Sequence, residues 1–318
     1  MSTSAGIISA RREVFNFLRP QVCSLPLLRI GGRCDGAYLL PNDFDGITDC
    51  FSPGVENRKN FEDELLQKHN IRSHLMDFSS QPDLLQTPLV AGKQFFRRKW
   101  LGDVSSEDTM SLDDWVSADA LDSRSDLIMQ IDIEGAEYAV LNAASDDTIQ
   151  RFRIISLELH DLAKKMNVDE HLEGQLLPMI KKLAKRFVSV HAHANNCCRM
   201  TAVDGVAPRV PNVLELTLLR KDRFDDAGPS RVGRGKLPHR SDIRKNTASR
   251  PYLELDQGWS TAPSSRRAAM RKLRNLALDM LDPRVSMKPL LWDRIYHHVP
   301  PNLLKALGRI VSKGWWKQ

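Results

Sequence analysis

No stretch of the 318 residues is apolar for long enough to span a bilayer, which takes about 18 or more consecutive apolar residues. The opening MSTSAGIISARREVF lacks the apolar segment of a secretory leader. Cysteine is scarce: Cys23, Cys34, Cys50, Cys197 and Cys198 follow no zinc-ribbon spacing. The adjacent pair Cys197 and Cys198 is poor geometry for a disulfide. An odd count without a leader points to a reducing, cytoplasmic setting. No recognisable nucleic-acid-binding motif occurs, which leaves charge alone as ground for a polyanion partner.

Charge is present but unevenly spread. Residues 222–318 carry 20 Lys+Arg against 9 Asp+Glu, a net of +11, and the first 221 residues carry 26 against 31, a net of −5, which together give the overall +6. Such asymmetry predicts two parts with different tasks. Composition and pattern divide the chain into an N-terminal helical segment (1–26), a folded domain (27–221), a linker rich in Asp, Arg, Gly, Ser and Pro (222–265), read as flexible, and a basic helical extension (266–318).

Within the domain, apolar runs alternate with helical spacing. ITDCF, IRSHLMDF, LIMQIDI, RIISLEL and RFVSVHAH read as strands, and NFEDELLQKH, AEYAVLNAA and LEGQLLPMIKKLAKR as helices. LLRIGG and GAYLLP read as a hairpin, KQFFRRKWLG as a strand or edge insertion, and residues 11–20 as a short amphipathic helix. Strands alternating with helices predict an α/β fold, a mostly parallel sheet covered on both faces. NVLELTLLR arrives with no helix before it, which predicts an antiparallel last strand.

The segment DCFSPGVENRKNFEDEL is a glycine turn between strand and helix, where backbone N–H groups meet a ligand. Asp77 ends the next strand, 23 residues after Gly54, close to the spacing of roughly 20 at which such sheets bind ribose hydroxyls. One glycine is not a GxGxxG fingerprint, and a surface turn with an ordinary strand-end acid explains the spacing equally.

Three strands end in polar pairs at i and i+2, which share a face: Asp132 with Glu134, Glu158 with His160, and His191 with His193, the last followed by Asn195 and Asn196. At the carboxyl edge of a parallel sheet they would converge on a ligand. Singly, each has a structural explanation. Asp132 can cap the following helix, Glu134 and Glu137 can favour its N-terminus, and a strand-end histidine can simply be hydrogen-bonded. Together they suit a proton acceptor and its substrate contacts, with a divalent metal as a minor possibility.

LIMQIDIEGAEYAVL (127–141) resembles the signature of the FkbM-type methyltransferases, and SLDDWV, ISLELH, HAHANN, PNVLELTLLRK and RIGGRCDGAYLLP resemble further elements of one branch, so the likeness covers roughly residues 27–221. The resemblance implies a Rossmann-like sheet of seven strands with the last antiparallel, S-adenosyl-L-methionine as cofactor, and O-methylation of a carbohydrate, glycan or related metabolite. It would place Ser52, Gly54, Glu56, Asp77 and Asp132 around the cofactor. Asp132, His160 and His191 are the catalytic candidates, and Glu134, Glu158, His193, Asn195 and Asn196 the acceptor-binding ones. No metal ligand is assigned. Ser52-Pro53-Gly54-Val55-Glu56 is poorer in glycine than many relatives, and Pro53 removes one N–H donor. That departure motivates the alternative, a degenerate methyltransferase fold serving as a binding or scaffolding module. The basic amphipathic 266–281 and Trp315-Trp316 are compatible with a peripheral membrane or polyanion contact.

Overall fold

The computed structural model describes residues 3–33, 35–226, 237–242, 246–255 and 257–260. The extension 266–318, with the membrane or polyanion contact expected of it, lies outside the described residues. No helix among those described is long and apolar enough to cross a membrane.

Seven strands form the central sheet: β1 (Ile47–Pro53), β2 (Arg72–Met76), β3 (Gln94–Arg97), β4 (Asp126–Ile131), β5 (Phe152–Leu159), β6 (Phe187–Ala194) and β7 (Leu214–Arg220), in the order β6-β7-β5-β4-β1-β2-β3. β1, β2, β3, β4 and β5 pair in parallel. β7 inserts antiparallel between β5 and β6, as its helix-free approach predicts. It is reached through a hairpin of Met200–Val203 and Val206–Pro211.

Alternation along the strands sends side chains to two apolar layers. Phe51, Leu127, Met129, Ile131, Ile155, Leu157, Leu214 and Leu216 face one layer, shared with Trp115, Tyr138 and Phe15. Cys50, Ile128, Ile154, Val190 and Leu219 face the other, where the antiparallel pair Leu27–Ile30 and Tyr38–Pro41 lies with Phe61 and Leu65. Helix α1 (Ser4–Leu18) is longer than its sequence pattern suggests, because Thr3 caps it by accepting from the Gly6 N–H at 3.3 Å. Helix α2 (Asn60–His69) follows β1 and stops at Asn70, whose φ of 53° closes the last turn. Helix α3 (Leu112–Asp119) starts at the cap Ser111. Helix α4 (Glu137–Ala143) follows β4, and a π-helical stretch, Leu172–Leu176, leads into α5 (Leu177–Arg186) before β6. KQFFRRKWLG, read as a strand or edge insertion, supplies β3 and one strand of a small parallel pair, Trp100–Gly102 with Thr109–Ser111.

The segment read as a linker, 222–265, is not free of the domain where it is described. Leu237, Leu253, Leu255 and Trp259 are buried in the first layer, and Trp259 meets Phe15 edge to face at 4.8 Å. Few, singly spaced apolar residues suffice to dock a polar segment, and they leave no periodic trace in its composition.

Candidate active site

The carboxyl ends of β1, β2, β4 and β5 share one edge. Gly54, just beyond β1, has φ +79°, and a Cβ there would fall 1.6 Å from the Asp132 carbonyl oxygen. Only glycine lets the two turns approach this closely. Glu56 and Asn57 continue at φ 47° and 61°, which turns the Glu56 N–H onto the Asp77 carboxylate at 2.9 Å. Asp77 also accepts from the Ser79 N–H (2.8 Å) and hydroxyl (2.6 Å). Burial alone would raise its pKa, but these bonds outweigh it and hold the carboxyl below its usual range. Asp77 is therefore an anchor of the glycine turn. Phe78, next in sequence, stacks on the half-exposed Trp100 at 5.3 Å with the Arg98 guanidinium 5.0 Å from its ring. The sequence reading passed over this aromatic face.

The β4–α4 turn and His160 form the chemical centre. Glu134 and Gly135 adopt φ 55° and 108°, and Glu137 accepts from the N–H groups of Ile133 (3.1 Å) and Gly135 (3.2 Å). The same Glu137 oxygen lies 2.8 Å from His160 Nδ1. Since an ionised carboxylate can only accept, Nδ1 carries the proton and Nε2 faces outward. Nε2 lies 3.7 Å from Asp132 and 3.4 Å from Glu134. Tyr138 fixes the backbone beneath by donating to the His160 carbonyl at 2.7 Å. Burial disfavours the charged imidazole, but the Glu137 bond and the surrounding carboxylates prevail and raise the His160 pKa. Burial, reinforced by Glu134, Glu137 and Asp35, lifts Asp132 to about 7, against the pull of His160. Donor atoms of Asp132, Glu137 and His160 lie within 4.8 Å of one another, near enough for a cation, but the Glu137–His160 contact is that of a hydrogen-bonded dyad. Glu137, read from sequence as a helix-start acid, is fully buried and holds the imidazole. Only a fold that delivers His160 beside it reveals this.

Beneath this edge a line of buried polar groups crosses the sheet under the hairpin. Ser52 contacts Glu62 and, at 2.6 Å, Gln130. Gln130 donates to the Tyr38 hydroxyl at 3.3 Å, which lies 3.5 Å from Glu158. Asn195 donates to Glu158 at 2.7 Å. Glu158 pairs in register with Glu215, and Glu215 with His193, whose Nδ1 it meets at 3.2 Å. Burial, then the charges of Asp132 and Glu215, push the Glu158 carboxyl well up.

Several residues expected at the ligand edge turn elsewhere. Ser52 is wholly buried and faces α2, because it shares the Cys50 face of β1. His191 is one row further in than His193 and lies under the C-terminal segment, with Nε2 2.9 Å from Asp242 and 4% of its surface exposed. Asn196 donates to the carbonyls of Thr247, Arg250 and Pro251 and accepts from the N–H groups of Asn246 and Thr247. It pins that segment, and an amide has little left for an acceptor. Asn246 reaches Asp35 at 2.9 Å and Glu215 at 2.5 Å. Asp132, Glu134 and His160 do come together as expected. Tyr38, Gln130, Glu62 and Glu215 lie within the quoted sequence segments, but the strand-end pairing did not single them out.

Residues 48–187 match the family described as Methyltransferase FkbM domain. No curated protein matches the chain. Among solved structures, Streptococcus pneumoniae Sp1610 in complex with S-adenosyl-L-methionine is similar at 10% identity and TM-score 0.32, over 86% of this chain and 89% of that one. M. capricolum TrmK in complex with S-adenosyl-homocysteine is similar at 8% identity and TM-score 0.30, over 83% and 91%.

Proposed function

We propose that the protein, whose residues 48–187 match the Methyltransferase FkbM domain family, is an S-adenosylmethionine-dependent methyltransferase acting on a hydroxyl oxygen of a carbohydrate, glycan or related metabolite. The observation that carries this is the Glu137–His160 dyad, whose Nε2 faces the strand edge beside the Gly54–Asp132 contact.

The residues present fit the cofactor. A sulfonium is a cation, and Asp132 and Glu134 give this edge negative charge. The Phe78–Trp100 face is flat and half exposed, as a stacked purine requires. The turn at Gly54 to Glu56 presents backbone where a side chain would collide, and Asp77 would serve chiefly by holding that turn. Bound there, the cofactor would supply an electrophilic methyl group.

Methyl transfer to oxygen needs a hydroxyl held in line and relieved of its proton. Neutral His160 offers Nε2 as the acceptor of that proton, and Glu137 keeps the imidazole in the tautomer that makes this possible. Asp132 stabilises the imidazolium that results.

Calorimetric titration with S-adenosylmethionine tests the first step. Saturable binding is expected for the native protein and its loss for Gly54→Ala, since the added methyl would meet the Asp132 carbonyl. No binding to the native protein would favour a scaffolding role for the fold. A screen of carbohydrate extracts with methyl-labelled cofactor tests the second, and label found on nitrogen instead of oxygen would refute the O-methylation reading.

A further inference from the structure

Cys197 and Cys198 lie just past β6, on the turn that leaves the ligand edge. In an extended strand adjacent side chains point to opposite faces. This turn instead brings both sulfurs together, 3.1 Å apart and half-buried, as free thiols. The Cys197 backbone is tied through both its N–H and its carbonyl. The Cys197 N–H donates to the Asn195 side-chain oxygen at 2.9 Å, and Arg250 donates to the Cys197 carbonyl. Asn195 continues to Glu158, so the thiol turn is joined to the polar line under the active edge.

We propose that the Cys197–Cys198 pair is a thiophilic binding site that takes a trivalent, organoarsenical-type centre through both sulfurs. Two soft ligands already in contact and fixed by their backbone favour a soft centre over the hard cations that oxygen ligands select. Burial and the neighbouring thiol push the Cys197 sulfur up from its usual range, so its resting form is the neutral thiol. That form condenses directly with an arsenic–oxygen group. The As=O double bond is replaced by two As–S bonds, the two thiol protons leave with its oxygen as one water, and nothing is oxidised or reduced. Among the described residues no other cysteines form such a pair: Cys50 is buried within β1 and Cys23 stands alone. The site does not depend on the methyl-transfer reading, and the two can fail separately.

Phenylarsine oxide is the probe. The reduced full-length protein is incubated with it and examined by intact mass and peptide mapping. One phenylarsenic adduct, formed with loss of one water and located on the peptide bearing residues 197 and 198, is expected. It should survive excess 2-mercaptoethanol and be removed by 2,3-dimercaptopropanol. Cys197→Ser and Cys198→Ser should each weaken retention on the order of a hundred-fold, because the second bond is intramolecular, and Cys23→Ser and Cys34→Ser should leave it unchanged. An adduct that 2-mercaptoethanol strips from the native protein, one mapping to other cysteines, or retention by the two single variants equal to that of the native protein would overturn the proposal. Peptide mapping on the native protein decides even if a variant fails to fold.

Discussion

A carboxylate with no exposed surface sets the properties of His160. Glu137 combines two backbone N–H bonds with the imidazole bond, so one side chain fixes both the β4–α4 turn and the proton acceptor. His160 and Asp132 titrate against each other, and the acidic limb of a pH–rate profile therefore belongs to the pair. Its direction follows from the raised pKa values. Activity requires the unprotonated imidazole, so kcat/KM should rise with pH through a midpoint above the ordinary 6.5 of histidine. Glu137→Gln removes the charge and leaves a neutral amide oxygen, a weaker acceptor for the Nδ1 proton. The limb should move to lower pH while kcat falls by about 10- to 100-fold, the usual cost of losing an orienting partner. A limb that stays in place in Glu137→Gln would contradict the dyad. His160→Ala should lower turnover by about 10²- to 10⁴-fold with cofactor affinity, measured by calorimetry, unchanged. At this scale the sequence disclosed Asp132, Glu134 and His160, because strand periodicity puts them at one edge. It hid Glu137, whose partner is 23 residues away, and misplaced Ser52, which alternation puts on the Cys50 face toward α2, and His191, which is covered by a C-terminal segment that no spacing encodes.

At the level of elements, β1, β4 and α2 are joined by Ser52, Gln130 and Glu62. A hydroxyl has one proton, yet Ser52 has an oxygen acceptor on each side. The arrangement closes if Glu62 is protonated and donates to Ser52, which donates to Gln130. Burial supplies the cause, lifting Glu62 from 4.5 to about 7. The folded chain thus holds a proton that the unfolded chain releases. Its contribution to stability is present below 4.5 and is lost as pH rises to about 7. That interval corresponds to about 3 kcal/mol. Glu62→Gln keeps a donor for Ser52 and removes the titration, so relative to the native protein it should gain up to about 3 kcal/mol on going from pH 4.5 to pH 8 in urea unfolding. A pH-independent difference would show that Glu62 is not protonated in the fold. Strand runs bounded by turn residues made most of the sheet legible, and the helix-free approach gave the antiparallel β7. The Met200–Pro211 hairpin escaped because its strands are short and only partly buried. The Asp204-Gly205 pair at its tip, with Gly205 at φ +77°, was the signal that could have found it.

For the molecule as a whole, the FkbM match ends at Phe187, where β6 begins, but the fold does not. β7 lies between β5 and β6. The described parts of the C-terminal segment cover His191, His193 and Asn196 and carry Trp259 to α1. Trp259 has no exposed surface, donates to the Arg209 carbonyl at 3.0 Å, and sits beside Gly258, where a Cβ would come 2.7 Å from Pro208. The ring therefore joins three stretches of sequence, α1, the hairpin before β7 and the segment that composition assigned to a linker. If this segment belongs to the cooperative unit, Trp259→Ala should cost about 3–5 kcal/mol, as for other buried aromatics, in one denaturant transition with an unchanged slope. It should also raise amide exchange at residues 246–251, because their anchor on Asn196 holds only while the segment is docked. A loss below about 1 kcal/mol, the range of surface substitutions, would make the segment an appendage, and the burial of His191 and His193 would then be a property of one conformer instead of the folded domain.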